Sequence, residues 1–199
     1  YWLPGTSAST VIPAGAWEAC VTQHPMETGR IAFGVKFSVD GSMVAVSWAR
    51  AERGGASYVE LYEIAGTSGG VAWLADMLLR NVDKIAVCVI DGKSGAAALV
   101  QRLKDGGFPK TAIEDGSPAK VQAAASMFID EVSAQSVSHI ASPALDESVV
   151  KSVRRAIGKD GFGFGDGAES LSCPVESASL ALYGARTTKR NPGRKVRIL

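Results

Sequence analysis

The stretch Ile85-Ala86-Val87-Cys88-Val89-Ile90-Asp91 is apolar up to its last residue, an acid. A short apolar run of this kind suits a strand buried on both faces. Such a strand needs a sheet with helices above and below it. The sequence before it supplies the rest of a sheet. Ile31-Ala32-Phe33-Gly34-Val35-Lys36-Phe37 alternates, with Ile31, Phe33, Val35 and Phe37 on one face and Ala32, Gly34 and Lys36 on the other. Asp40-Gly41 then marks a hairpin turn. Met43 to Trp48 reads as the return strand. After the Gly54-Gly55 turn, Tyr58 to Ile64 reads as a third strand.

The pattern changes after Gly66. Val71, Leu74, Ala75, Leu78 and Leu79 have helical spacing. Beyond the apolar run, helices are predicted over 94–104, 118–133, 142–157 and 174–183. Short strands are predicted near 111–113 and 137–140. Ser117 is the expected N-cap of the helix that Pro118 opens. Gly161-Phe162-Gly163-Phe164-Gly165-Asp166-Gly167 is a loop or a hairpin. The predicted class is α/β: three antiparallel strands, then parallel strands, in a mixed sheet with helices on both faces. The ribonuclease-H-like fold has this order, as other α/β folds can.

Of the 199 residues, 46% are hydrophobic, enough for a real core. No apolar run reaches the ~18 residues of a membrane span. The net charge of +1 excludes a uniformly polybasic nucleic-acid binder. Cys20, Cys88 and Cys173 are odd in number and far apart, which excludes a disulfide framework and a cysteine zinc site. His24 and His139 cannot build a multi-histidine centre, so any metal must be held mainly by carboxylates. The start at Tyr1 and the lack of a signal-peptide pattern lead us to expect a piece of a longer protein. The expected organisation is an arm over 1–28, a domain over 29–185 and a basic tail over 186–199.

Several residues carry chemistry. Asp91 at a strand's carboxyl end lies where α/β sheets place their sites; it is a hard-metal ligand or a helix N-cap. Asp40 is a second acid nearby, or only a turn residue. Lys36 has small neighbours, Ala32 and Gly34, that leave room for something to approach; otherwise it is a snorkelling lysine. Asp166, Glu169 and Glu176 are candidate partners of Asp91, with Glu176 in a helix's first turn, where an acid suits the dipole anyway. The tail, with Lys189 and Arg190, is a DNA-phosphate or partner contact, or a solvated end. Gly92-Lys93-Ser94 mimics a P-loop ending, but Val87 stands where that motif needs its first glycine, so ATP binding is rejected. An α/β enzyme acting on a small substrate is the outside rival.

Four segments together carry a resemblance: Ile31 to Ser42; Val89-Ile90-Asp91-Gly92-Lys93-Ser94; Gly161 to Gly167; and Cys173-Pro174-Val175-Glu176-Ser177-Ala178-Ser179-Leu180-Ala181-Leu182-Tyr183-Gly184. In order and spacing they resemble the C-terminal nuclease part of a tailed-phage terminase large subunit. The resemblance implies a ribonuclease-H-like fold and a two-metal endonuclease, using Mg²⁺ or Mn²⁺, that cuts concatemeric double-stranded DNA in the host cytoplasm. It implies a preceding ATPase domain, a terminase small subunit and a portal as partners, and no membrane. Asp91 matches the family's acid at the fourth strand's end; the last acid maps to Asp166, Glu169 or Glu176. Lys36, Lys93, Lys189 and Arg190 are the expected DNA contacts. One position departs. The family's first acid lies mid-strand, where this chain has Lys36, whose ammonium would repel a metal or substitute for one. Asp40 then supplies the ligand, or one metal suffices, or activity is weak or lost. The alternative is a catalytically degenerate module of the same fold that binds DNA or a packaging partner.

Overall fold

A computed structural model describes residues 10–192. Its main sheet has the strand order β5-β4-β1-β2-β3-β6. Strands β1 (Arg30–Phe37), β2 (Met43–Ala51) and β3 (Ser57–Gly66) form the expected antiparallel meander. Strand β4 (Ile85–Asp91) lies parallel to β1, and β5 (Ile113–Asp115) lies parallel to β4. At the far edge β6 (Val137–His139) runs parallel to β3. The turn after β1 needs Gly41, whose φ of 74° is costly for a residue with a Cβ.

Period-two alternation splits the sheet into two cores. On one face Phe33, Val35, Phe37, Val44, Val46, Cys88 and Ile90 meet helices α2 (Ala72–Arg80) and α3 (Ala96–Asp105). On the other, Ala32, Ala49, Val87 and Val89 meet helices α4 (Pro118–Ser133) and α6 (Cys173–Thr187). Short helix α1 (Ala14–Glu18) puts Trp17 into this second core, stacked on His139 at 3.6 Å. The expected arm therefore packs on the domain through Trp17; Trp2 lies outside the described residues. Cys20, Cys88 and Cys173 are buried and unpaired among the described residues.

One predicted element is wrong. The helix expected over 142–157 stops early, as α5 (Pro143–Lys151). Ser152 turns extended, and β7 (Val153–Ile157) pairs antiparallel with β8 (Gly161–Gly165). Val153, Arg155 and Ile157 share one strand face, a period-two signal in a window too short to separate from a helix end. The glycine-rich segment is thus a hairpin strand. Ser117 is at the N-cap position of α4 but makes no side-chain cap bond.

Helix α6 packs unusually close to the sheet. A Cβ on Gly34 would stand 2.0 Å from the Ser177 carbonyl oxygen and 2.5 Å from the Ala181 nitrogen. Both obstacles are backbone, so neither can rotate away. Ser47 and Ser177 share a hydrogen bond of 2.7 Å across the same interface. Gly34→Val should push α6 off the sheet and destabilise the fold by at least about 1–3 kcal/mol, as overpacking does. Urea unfolding checks this; an unchanged midpoint would show that the close approach is not needed.

Candidate functional site

Lys36 and Asp91 are lateral partners on the parallel strands β1 and β4, so their side chains leave the same face. That is the face α6 covers. Gly34, two residues before Lys36, lets α6 approach, and this puts Glu176 of its first turn over Lys36. The Lys36 ammonium donates to Asp91 Oδ2 and lies 3.3 Å from Glu176 Oε1. Arg155 Nη2 donates to the same Glu176 oxygen at 2.8 Å. The side chains of Lys36, Asp91 and Glu176 are only 10%, 19% and 6% exposed. Burial pushes the Glu176 carboxyl up from its ordinary range; the charges of Lys36 and then Arg155 oppose that shift without cancelling it.

Arg155 was hidden by the predicted helix. It lies opposite Gly163 in the β7–β8 ladder and donates from Nε to the Phe164 carbonyl at 3.1 Å. Gly161, Gly163 and Gly165 alternate with Phe162 and Phe164. A Cβ on Gly163 would come within 3.3 Å of Arg155 Nη2, and one on Gly165 within 3.0 Å of Arg155 Cβ. The glycine face is therefore a track along which the guanidinium lies on its way to Glu176, while Phe164 enters the core. The period-two glycines were the signal that could have revealed it.

The expected acids divide. Asp91 and Glu176 meet at Lys36. Asp166 reaches the cluster only indirectly: its Oδ1 accepts from the Ser172 backbone N–H at 2.7 Å and from the Ser172 hydroxyl at 2.9 Å. The same hydroxyl lies 3.0 Å from Glu176 Oε2. Asp40 is a turn residue, accepting from the Ser38 hydroxyl at 2.7 Å and from the Ser42 backbone N–H at 3.0 Å. These bonds hold its carboxyl down at about 2. Glu169 is exposed in a turn with φ of 58° and makes no bond to the cluster. Lys93 is exposed beside Asp91. Arg190 donates to the Ile85 carbonyl at 2.6 Å, at the opposite end of β4 from Asp91. The tail from 193 onward lies outside the described residues.

A groove of about 370 Å³ opens on the cluster, lined by Lys36, Asp91, Lys93, Gly116, Pro118 and Arg155. A larger basin of about 820 Å³ lies at the start of β1, beside Arg30, Arg53, Arg186 and Lys189. It holds none of the converging acids. The apolar hollow under Trp48 and Tyr62 is about 240 Å³ and is lined by no acid, cysteine or serine. A further cavity of about 530 Å³ lies on the other side of Asp91, between Ala96, Val100, Ile113 and Asp115.

The resemblance read from the sequence implies a pair of divalent cations, and the donor set can be tested against that expectation. Two carboxylates converge, and they already face an ammonium and a guanidinium, so the four charges cancel. No group of three or more metal-ligating side chains occurs among the described residues. Two hard cations need several carboxylate oxygens of their own. The residues present do not fit a two-metal centre.

Removing the Lys36 charge should therefore leave two poorly hydrated acids facing each other. Lys36→Met should cost about 3–5 kcal/mol at pH 8, the range for breaking a buried ion pair. The loss should shrink at pH 5. A carboxyl whose folded pKa is raised, as for Glu176, adds stability below its unfolded value of 4.5 that is lost as pH rises through the folded value, and deleting Lys36 widens that window upward. Urea unfolding at both pH values checks this; an equal cost at each would show that the acids are not in communication with Lys36.

No protein-family model matches the chain, and no curated protein does. Solved structures do match in fold. The large terminase of bacteriophage HK97 superposes with a TM-score of 0.70 at 13% identity, over 89% of this chain and 43% of that one. This chain thus spans less than half of that protein. The large terminase nuclease of thermophilic phage G20c, solved with bound magnesium, superposes with a TM-score of 0.61 at 11% identity, over 89% of this chain and 100% of that one. The large terminase nuclease domain of Thermus phage P74-26 gives 0.59 at 10% identity, over 84% and 92%. The G20c nuclease has also been solved with cobalt and with zinc. Over most of its length, this chain has the ribonuclease-H-like fold of phage large terminase nuclease domains.

Proposed function

We propose that this chain is a terminase nuclease-type module that engages the phosphodiester backbone of double-stranded DNA in a genome-packaging machine. The observation that carries the reading is the convergence of Asp91, from the tip of β4, with Glu176, from α6, on Lys36, beside an open groove that Lys36 and Asp91 line, in the fold of large terminase nucleases. The groove suits a polyanion at its rim. Lys93 is exposed there, and Arg154 stands exposed on the adjacent hairpin with its guanidinium 4.1 Å above the Phe162 ring. Phosphate contacts of this kind give affinity without sequence preference. An ATPase domain, a small subunit and a portal complete the machine in this reading.

Two chemistries are open to such a module. Gripping duplex DNA without cutting it is favoured by the internal charge balance of Lys36, Arg155, Asp91 and Glu176. Cleavage with Mg²⁺ or Mn²⁺ is favoured by the place of Asp91 and by the metal-bound structures of the G20c nuclease. Helices long and apolar enough to span a membrane are absent among the described residues.

Fluorescence anisotropy with a labelled duplex tests the shared part. Binding should weaken steeply with salt, and Lys93→Ala should lower the salt slope by about one. Salt-insensitive binding, or none, would overturn the reading. Plasmid nicking in Mn²⁺ separates the two chemistries. Nicking that disappears in Asp91→Asn establishes cleavage; intact plasmid beside normal binding establishes the grip.

A further inference from the structure

We propose that Lys36 is a built-in cation: its ammonium takes the place of a divalent metal ion between Asp91 and Glu176, so the chain as it stands holds no metal there, and removing the ammonium opens a seat for one. The inference deepens the reading above and rests on it for the fold; its own evidence is the cluster's geometry and charge.

The position of the charge is fixed by three independent features. Register sets Lys36 beside Asp91 on neighbouring parallel strands. The pleat points both toward α6. The close approach at Gly34 then brings Glu176 Oε1 to 3.3 Å from the ammonium. One nitrogen thus bridges two carboxylates supplied by segments far apart in sequence. That is the task a hard cation performs for acids that would otherwise repel each other.

The remaining bonds show that the acids are already served. Glu176 Oε1 also accepts from Arg155, and Oε2 is met by the Ser172 hydroxyl. Asp91 is backed by Gly116, where an added Cβ would stand 2.3 Å from the Asp91 Cβ, so the carboxylate cannot withdraw on that side. A divalent ion arriving between these oxygens would meet the ammonium where it needs to bind. It would have to expel a side chain that is 10% exposed from two partners at once. Like charges cannot share so small and poorly hydrated a space.

The chemistry follows from the type of charge. An ammonium offers three N–H donors and no exchangeable coordination site. It can bridge two carboxylates, which it neutralises together with Arg155, and hydrogen-bond a phosphate oxygen at the groove floor. It cannot bind a water and lower its pKa, as a metal ion does. The cluster is thus a closed clasp whose rigidity places the groove wall for a phosphate, with no activated water.

The test measures Mn²⁺ binding in the absence of DNA, by isothermal calorimetry on the purified chain. The wild-type chain should show no saturable site. Lys36→Asp and Lys36→Ala should each bind one Mn²⁺ at least about tenfold more tightly than the wild type, and Asp91→Asn in either background should abolish that site. Thermal unfolding gives a second readout: MnCl₂ should raise the midpoint of both variants and leave the wild type unmoved. Saturable Mn²⁺ binding by the wild type that is lost in Asp91→Asn would overturn the proposal. So would folded Lys36 variants that bind no Mn²⁺. If neither variant folds, the wild-type titration alone decides. Failure here leaves salt-dependent DNA binding untouched, whereas failure of DNA binding would leave the metal result standing.

Discussion

The close approach of α6 to the sheet at Gly34 is the constraint on which the rest depends. The interface is built from small residues on both sides: Ala32, Gly34, Ser47 and Ala49 on the sheet, and Ser177, Ala178, Ala181 and Gly184 on the helix. Short side chains let two backbones come near enough for many weak dispersion contacts. They also fix the helix's height above the sheet. A helix held farther off by one methyl group would carry the Glu176 carboxylate away from Lys36 and break the cluster. Packing and electrostatics therefore share one origin, a strand face stripped of side-chain bulk.

Given that proximity, the charges have few alternatives. Glu176 is buried against the sheet, so it must be paired or protonated. Two cations answer it, one from a strand of the main sheet and one from the β7–β8 hairpin. A buried cluster of this kind is weak evidence for net stability, since its desolvation cost is large. It is stronger evidence for specificity. It links β1, β4, α6 and the hairpin through one carboxylate, and Ser172 extends the linkage to Asp166 at the surface. A mispacked hairpin would leave Arg155 unpaired and Glu176 short of a donor. The cluster thus penalises wrong assemblies more than it rewards the right one.

Much of this was legible in the sequence, for physical reasons that differ by element. The meander could be read because Ile31 to Phe37 alternates cleanly and Asp40-Gly41 has one strong structural use. The buried strand could be read because Ile85 to Ile90 has no polar face to present to water. Asp91 could be placed because a strand's end is fixed once the strand is. The choice among Asp166, Glu169 and Glu176 could not be made, because it depends on how far α6 stands from the sheet. That distance is set by Gly34, whose spacing to Ser177 no periodicity encodes. Asp40 is the reverse case: both of its uses suit the same sequence, and the Ser38 and Ser42 hydroxyls decide for the turn. The β7–β8 hairpin was missed because Val153 to Ile157 is too short for its period to outweigh the helix before it. With the hairpin went Arg155, the second cation of the site.

Gly34 and Lys36 also show how fold and chemistry separate in such a molecule. They stand two residues apart on one strand and point to one face, yet they govern different things. Position 34 sets whether α6 can dock, so any side chain there is paid for in the whole architecture. Position 36 lies one pleat farther on, beyond the tightest contact and at the edge of the groove, where the side chain meets Asp91 and Glu176. The close backbone approach that carries Glu176 toward Asp91 is thus set at position 34, and the charge between the two acids at position 36. An acid at position 36 would leave three carboxylates around a gap that only a cation could fill. The lysine fills the gap itself. The fold supplies a notch at the tip of a buried strand, and the charge at a single position determines whether that notch recruits a metal ion or closes on an ammonium.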